Sequence, residues 1–117
     1  MNDARDAETR LAVYGTLAPG RPNHHQLAGL QGRWFDGSVR GRLIEAGWGA
    51  SLGYPGIVVD DLEETDIVSV QVFASDDLPE HWSRLDLFEG SGYRRLAVEV
   101  DTVDGVVLAS IYALAID

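Results

Sequence analysis

The sequence contains no cysteine, little positive charge and no long apolar segment. Without cysteine, disulfide frameworks, thiol nucleophiles and thiolate metal sites are excluded. Nine basic residues against 19 acidic ones give a formal net charge of −10, which disfavours nucleic acid as a partner because phosphate backbones bind clustered cations. No apolar run approaches the roughly 20 residues of a membrane span, and the polar start lacks the apolar segment of a secretory signal. We therefore expect a cytoplasmic protein with no membrane partner.

The chain of 117 residues has 45% hydrophobic and 24% charged residues, a composition typical of a soluble globular domain. This length fits one domain around one core and leaves no room for a second. We predict a polar tail over residues 1–9 and a single domain over residues 10–117. The acidic surface identifies no substrate by itself, and the sequence leaves the oligomeric state open.

Apolar alternation and β-branched runs predict a β-rich domain with few helices. After a first strand that ends near Tyr14, strands are expected over residues 38–45, 56–60, 66–75, 94–101 and 106–115. The pair Asp104-Gly105 is typical of a hairpin turn between the last two. The fold class is α+β, with a small mixed, strongly curved β-sheet closing to a barrel and two or so short helices.

Two segments have the pattern of short helices. The first begins at Asn23 as its N-cap and directs Leu27 and Leu30 inward. The second begins at Asp76 or Asp77, both candidate N-caps, and ends at Glu89.

The motif Tyr14-Gly15-Thr16-Leu17 ends the first apolar run in a loop that favours close backbone approach. Gly15 has no Cβ, so a ligand can reach the main chain there. The alternative is that Gly15 only lets the strand turn a corner.

The second motif, Leu85-Asp86-Leu87-Phe88-Glu89-Gly90, places a carboxylate on the apolar face of a helix. At about 100° per residue, Glu89 falls on the same face as Trp82 and Leu85, and we expect Trp82 in the core. Burial and the helix dipole both raise the pKa of an acid at this end, which suits a proton acceptor near neutral pH. The alternative is that the helix frays before Gly90 and Glu89 turns out to solvent.

Together the two motifs resemble the gamma-glutamylcyclotransferase-like family, also called the AIG2-like family, over about Leu11 to Ala115. Three further segments are similar to that family in the same order: Gly41-Arg42-Leu43-Ile44, Tyr54-Pro55-Gly56-Ile57-Val58 and Tyr93-Arg94-Arg95. The resemblance implies a gamma-glutamylcyclotransferase-like barrel fold. The link Ser91-Gly92 is shorter than in many relatives, so the leaving-group side of the pocket stays open.

The resemblance implies an enzyme that cyclises a gamma-glutamyl amide to 5-oxoproline and releases an amine or amino acid. Glu89 would carry the proton, backbone amides around Gly15, Thr16 and Leu17 would bind the substrate, and Tyr14 would form the adjacent wall. Neither a cofactor nor a metal is required, because nucleophile and electrophile belong to one small molecule. The alternative is a non-catalytic binding module for small molecules on the same fold.

Other candidate residues have competing interpretations. Tyr93 either hydrogen-bonds the substrate or only begins a strand, and Arg95 either pairs with a carboxylate or lies in water. His24 and His25 diverge by about 100° on a helix, so they cannot both face one metal ion. One of the two either lines the pocket mouth or has a capping or surface role. The run around Ser51 matches a nucleophile elbow, but Pro55 blocks the helix that an elbow requires.

Overall fold

The computed structural model describes residues 7–14, 24, 27–44, 56–59 and 66–114 of the chain. Within these residues, six strands follow one another in chain order: β1 (Arg10–Val13), β2 (Arg33–Ile44), β3 (Gly56–Val58), β4 (Asp66–Ala74), β5 (Tyr93–Thr102) and β6 (Gly105–Leu114). A 3-10 turn, Leu78–Glu80, and a helix α1, Trp82–Glu89, connect β4 to β5. None of the helices in this part of the chain is long and apolar enough to cross a membrane.

The strands form one sheet in the order β3-β2-β4-β1-β6-β5. β1 runs parallel to β6, and the other neighbouring strands pair antiparallel. Ser38 of β2 also pairs with Asp101 of β5, which joins the two ends of a five-strand ladder. The prediction of a mixed, curved sheet that closes to a barrel is therefore confirmed, with β3 as an extra strand beside β2.

Strand β2 begins five residues before the predicted start, because its pairing with β4 continues through Asp36 and Gly37. A Cβ on Gly37 would lie 2.5 Å from Cγ1 of Val100 on β5. Because it has no side chain, Gly37 lets β2 approach β5 closely at the point where the barrel closes.

Two apolar clusters lie on opposite sides of the sheet. One cluster fills the barrel with small and β-branched side chains from all six strands, including Ala12, Val72 and Ile111. The other packs α1 and the 3-10 turn against the outer face, where Leu11 and Tyr112 meet Trp82. Strand β1 is consequently buried on both faces, which accounts for its continuous apolar sequence.

The predicted start of the second helix is correct in position, because Asp77 is the N-cap residue, but its side chain makes no cap hydrogen bond. Asp77 stands before the 3-10 turn without a side-chain cap, and α1 begins later, after His81. The Asp77 carboxylate instead accepts a hydrogen bond from the Gln31 backbone N–H at 2.9 Å. The Asp77 carboxylate therefore stabilises the segment at Gln31, before β2, rather than the helix end.

The first predicted helix is described only in part, because Asn23 lies outside the described residues. Residues 27–30 form turns, and the Leu27 N–H donates to the His24 carbonyl at 2.9 Å. Leu27 is buried and Leu30 partly buried against the outer cluster, so both face inward as predicted.

Candidate active site

Glu89 is the last residue of α1 and only 7% exposed. Trp82 and Leu85, which precede it on the same face, are also buried. Gly90 follows with φ 84° and ψ −179°, a backbone conformation open to glycine, and turns the chain away directly after the acid. The structure thus excludes the alternative in which the helix frays and Glu89 faces solvent.

Burial raises the pKa of Glu89 from 4.5 to about 7. Loss of water around the carboxyl disfavours its charged form, and this is one of the two causes expected from the sequence. A carboxyl with such a pKa is present in both protonation states near neutral pH. It is therefore able to accept a proton and to return it.

Tyr14 follows β1 directly, and its ring packs against the barrel-filling cluster. Its hydroxyl donates to the Tyr112 carbonyl at 2.6 Å and accepts from the Ile57 N–H at 3.1 Å. Burial raises the pKa of Tyr14 far above its usual value, and negative charge on Tyr93 or Glu89 adds to this shift. Tyr14 consequently stays protonated, within electrostatic reach of Glu89 and Tyr93.

Tyr93 is the first residue of β5 and is partly buried against the outer cluster. Its backbone N–H donates to the Gly90 carbonyl at 3.3 Å, so the two-residue link brings it back beside the helix end. Of the residues predicted for the site, the structure thus brings Tyr14, Glu89 and Tyr93 close enough for Tyr14 to interact electrostatically with the other two. The other three, Gly15, Thr16 and Leu17, lie outside the described residues.

Asp86, one turn before Glu89, connects α1 to the sheet. One oxygen, Oδ1, accepts hydrogen bonds from the Tyr112 hydroxyl at 2.6 Å and from Arg95 Nε at 2.9 Å. The other, Oδ2, accepts from Arg95 Nη2 at 3.3 Å. Arg95 therefore pairs with a carboxylate, as the first of its two interpretations held, and that carboxylate belongs to the protein.

The sequence by itself predicts no role for Asp86 or Tyr112. Asp86 lies inside the motif that ends at Glu89 and Gly90, so its place in that motif could have indicated a role. Tyr112 lies in the apolar run of β6, where its hydroxyl is the only polar feature among Ile111, Ala113 and Leu114. Its importance depends on strand pairing, which the local pattern does not contain.

An open cleft of about 450 Å³ lies beside the end of α1. Its lining includes Asp86, Gly90, Tyr93, Arg95 and Tyr112. The cleft exposes polar groups of the helix end, β5 and β6, and Gly90, the residue after Glu89, belongs to its lining whereas Glu89 does not.

The two described histidines, His24 and His81, lie in separate parts of the structure. The His24 ring lies 5.5 Å from the Trp34 ring, centroid to centroid, and His81 Nδ1 is 3.2 Å from Arg84 Nη2. His25 and Ser51 lie outside the described residues. In the part of the chain that the structure describes, no three His, Asp or Glu side chains form a group that could hold a metal ion.

Several solved structures share this fold. YkqA from Bacillus subtilis is 33% identical with a TM-score of 0.71 over 92% of this chain, which spans only 36% of YkqA. An uncharacterised protein, PH0828 from Pyrococcus horikoshii, is 28% identical with a TM-score of 0.63, covering 93% of this chain and 80% of that one. An AIG2-like protein from Mus musculus is 24% identical with a TM-score of 0.70, covering 92% and 77%.

Among curated proteins, none matches the chain. The family model described as gamma-glutamyl cyclotransferase, AIG2-like, matches residues 11–116. The match includes the Tyr14 loop, helix α1 and the start of β5, the segments on which the resemblance rested. The chain belongs to the AIG2-like gamma-glutamyl cyclotransferase family.

Proposed function

We propose that the protein is a gamma-glutamylcyclotransferase-type enzyme that converts a gamma-glutamyl amide to 5-oxoproline and releases an amine or amino acid. The observation that carries the proposal is the buried carboxyl of Glu89, whose pKa is raised to about 7 at the end of α1. Family membership supports a small-molecule substrate and chemistry of the cyclotransferase type.

In the proposed reaction, the substrate's α-amine attacks its own γ-carbonyl and closes a five-membered lactam. Glu89 takes a proton from the α-ammonium, which frees the attacking lone pair, and gives it to the departing nitrogen when the amide C–N bond breaks. The ring nitrogen loses a second proton, which the amine takes up as it leaves as an ammonium ion. One carboxyl that both accepts and donates near pH 7 suffices for this sequence.

The remaining site residues bind and orient. Backbone amides around Gly15, Thr16 and Leu17 hold the substrate α-carboxylate, and the Tyr93 hydroxyl hydrogen-bonds the substrate. Tyr14 forms a wall that stays in place because both of its hydroxyl interactions are satisfied by backbone groups. The reaction calls for no metal or redox cofactor, since the enzyme mainly holds one molecule in a reactive conformation.

The test is release of 5-oxoproline, followed by mass spectrometry with a metal chelator present. The substrate panel contains gamma-glutamyl amino acids, gamma-glutamyl-ε-lysine and glutathione. Glu89→Gln keeps the shape of the side chain and removes the base, and the matched control is Glu80→Gln, whose residue is exposed on the neighbouring 3-10 turn.

We expect release by the wild-type protein and by Glu80→Gln, with a loss of roughly 10²-fold to 10⁴-fold in Glu89→Gln. Comparable release by a folded Glu89→Gln would remove Glu89 from the mechanism. Binding of a gamma-glutamyl compound without turnover by the wild-type protein would instead favour the non-catalytic binding module.

A further inference from the structure

Helix α1 has few internal features that stabilise it or fix its orientation. It contains eight residues and no side-chain cap at its N-terminus, with no acid in the first turn and no basic residue in the last. Helices this short are marginal in isolation, so tertiary contacts must set how α1 is rotated about its axis. Its exposed residue Leu87 makes no contribution to that anchoring.

The polar anchor of α1 is the Asp86 carboxylate, which receives donors from two neighbouring strands. Arg95 of β5 and Tyr112 of β6 stand directly opposite each other in the sheet register, so their side chains share one face. Both side chains end on Asp86. One carboxylate therefore ties the helix to two strands at a single point.

A second contact fixes the same pair of elements one turn earlier. The Arg95 guanidinium lies over the Trp82 indole, 4.4 Å from its centroid, while Nε and Nη2 bond Asp86. Trp82 and Asp86 are four residues apart and lie on the same side of α1. Arg95 thus contacts the helix at two successive turns, which resists its rotation.

Glu89 lies three residues after Asp86, about 60° away around the helix and one turn further along. A rotation of α1 that released Asp86 would also turn the Glu89 carboxyl away from its place. The titratable groups that face Glu89 from other elements include Tyr14 after β1 and Tyr112 of β6, both of which respond to its charge.

Tyr112 also connects Asp86 to Tyr14, the residue proposed to form the wall of the site. Its hydroxyl donates to Asp86, and its carbonyl accepts from the Tyr14 hydroxyl at 2.6 Å. Tyr14 in turn accepts from the Ile57 N–H of β3. Tyr112 therefore joins the helix that carries Glu89 to Tyr14, with one hydrogen bond from its hydroxyl and one to its carbonyl.

We propose that Asp86 is a positioning residue, which fixes the rotation of α1 through Arg95 and Tyr112 and so directs the Glu89 carboxyl into the site. The proposal rests on the proposed function for its consequence in catalysis. Burial would raise the pKa of Asp86, but hydrogen bonds from Arg95 and Tyr112 hold it below its usual range. Asp86 therefore stays ionised while Glu89 titrates.

The test combines kinetics with a measurement that needs no activity. Asp86→Asn removes the charge with little change of shape, and Tyr112→Phe removes one hydroxyl and keeps the ring. Asp66→Asn, at an exposed position at the start of β4, is the matched control. The ionisation of Glu89 is followed by ¹³C NMR of labelled glutamate carboxyls, and its signal is identified by its absence in Glu89→Gln.

We expect Asp86→Asn to lower kcat roughly 10-fold to 100-fold with KM nearly unchanged, because the base is displaced while substrate contacts stay. The Glu89 midpoint should fall from about 7 towards 4.5 as its carboxyl gains water. Tyr112→Phe should shift both quantities in the same direction by less, and it tests the same link should Asp86→Asn fail to fold. Asp66→Asn should match the wild-type protein.

Wild-type kcat and a Glu89 midpoint near 7 in the folded variants would overturn the positioning role of Asp86. If the wild-type protein released no 5-oxoproline, the proposed function would fail, and the NMR midpoint would still decide the positioning of Glu89. The two failures are therefore distinguishable.

Discussion

Two carboxyls one helical turn apart differ in what the protein does to their ionisation. Burial raises the pKa of Glu89 to about 7. Asp86 is also desolvated, but donors from Arg95 and Tyr112 lower its pKa below the usual value. The same helix thus carries an acid that exchanges a proton near neutral pH and an acid that stays charged, and hydrogen-bond donors make the difference.

The raised pKa of Glu89 has a cost in stability that depends on pH. Because the folded-state pKa lies above the unfolded value of 4.5, the unfolded chain ionises first as pH rises. The contribution of Glu89 to the free energy of unfolding therefore decreases between about pH 4.5 and about pH 7 and is constant above that range. The decrease amounts to roughly 3 to 3.5 kcal/mol, since each pKa unit corresponds to ~1.4 kcal/mol.

Glu89→Gln should abolish this decrease, because an amide does not ionise. The free energy of unfolding of Glu89→Gln minus that of the wild-type protein should therefore increase by roughly 3 kcal/mol from acidic to alkaline pH. Urea denaturation at pH values below and above this range measures the difference, with Glu80→Gln at an exposed position as the control. A gap between Glu89→Gln and wild type that stays constant across pH would mean that Glu89 is not held in a desolvated place.

At the scale of elements, the turn that ends α1 determines where the acid stands. The Gly90 N–H donates to the Asp86 carbonyl at 3.0 Å, and the positive φ of Gly90 lets β5 begin only three residues later. Gly92 lies in the same link, and no positive φ is found there. The two glycines therefore form a matched pair.

Gly90→Ala should destabilise the protein by about 1 to 3 kcal/mol, because an alanine is strained at this φ although open space surrounds the position. Gly92→Ala should be nearly neutral, since its added Cβ also meets nothing within 4 Å. Midpoints of urea denaturation measure both effects. Equal stabilities of the two variants would argue against a conformational requirement at Gly90.

Element type was largely predictable from periodicity, whereas element ends were not. The alternation in β4 and the β-branched, apolar run in β6 place both strands close to their observed bounds. The pair Asp36-Gly37 is typical of a break, yet β2 continues through it because β4 supplies partners on one side. Asp77 is a strong cap residue by type, but a contact with Gln31 of another segment uses its carboxylate.

At the scale of the whole molecule, the barrel brings together residues from distant parts of the chain. Glu89 was predictable because helical phase and motif are local properties of the sequence. The contribution of Tyr112 was not, because it depends on the register that sets Arg95 opposite Tyr112 and on the packing of α1 over that pair. Long-range pairing of this kind leaves no periodic signal at either residue.

Closure of the sheet has the same long-range origin. In the described part of the chain, the bridge between Ser38 and Asp101 joins β2 to β5, and it requires the close approach at Gly37. Curvature and closure were expected from the number of glycines and from the family resemblance, but the residues that close the barrel were not identifiable beforehand.

In the proposed reaction, the buried Glu89 carboxyl carries the proton of ring closure. The most direct test of this role is the pH dependence of kcat/KM for 5-oxoproline release, compared with the ¹³C titration of Glu89 in the same protein, because kcat/KM reports the ionisation of the free enzyme. We expect a rate that rises with pH and shares its midpoint, near 7, with the carboxyl of Glu89. A rate that stays flat while Glu89 ionises would contradict this role.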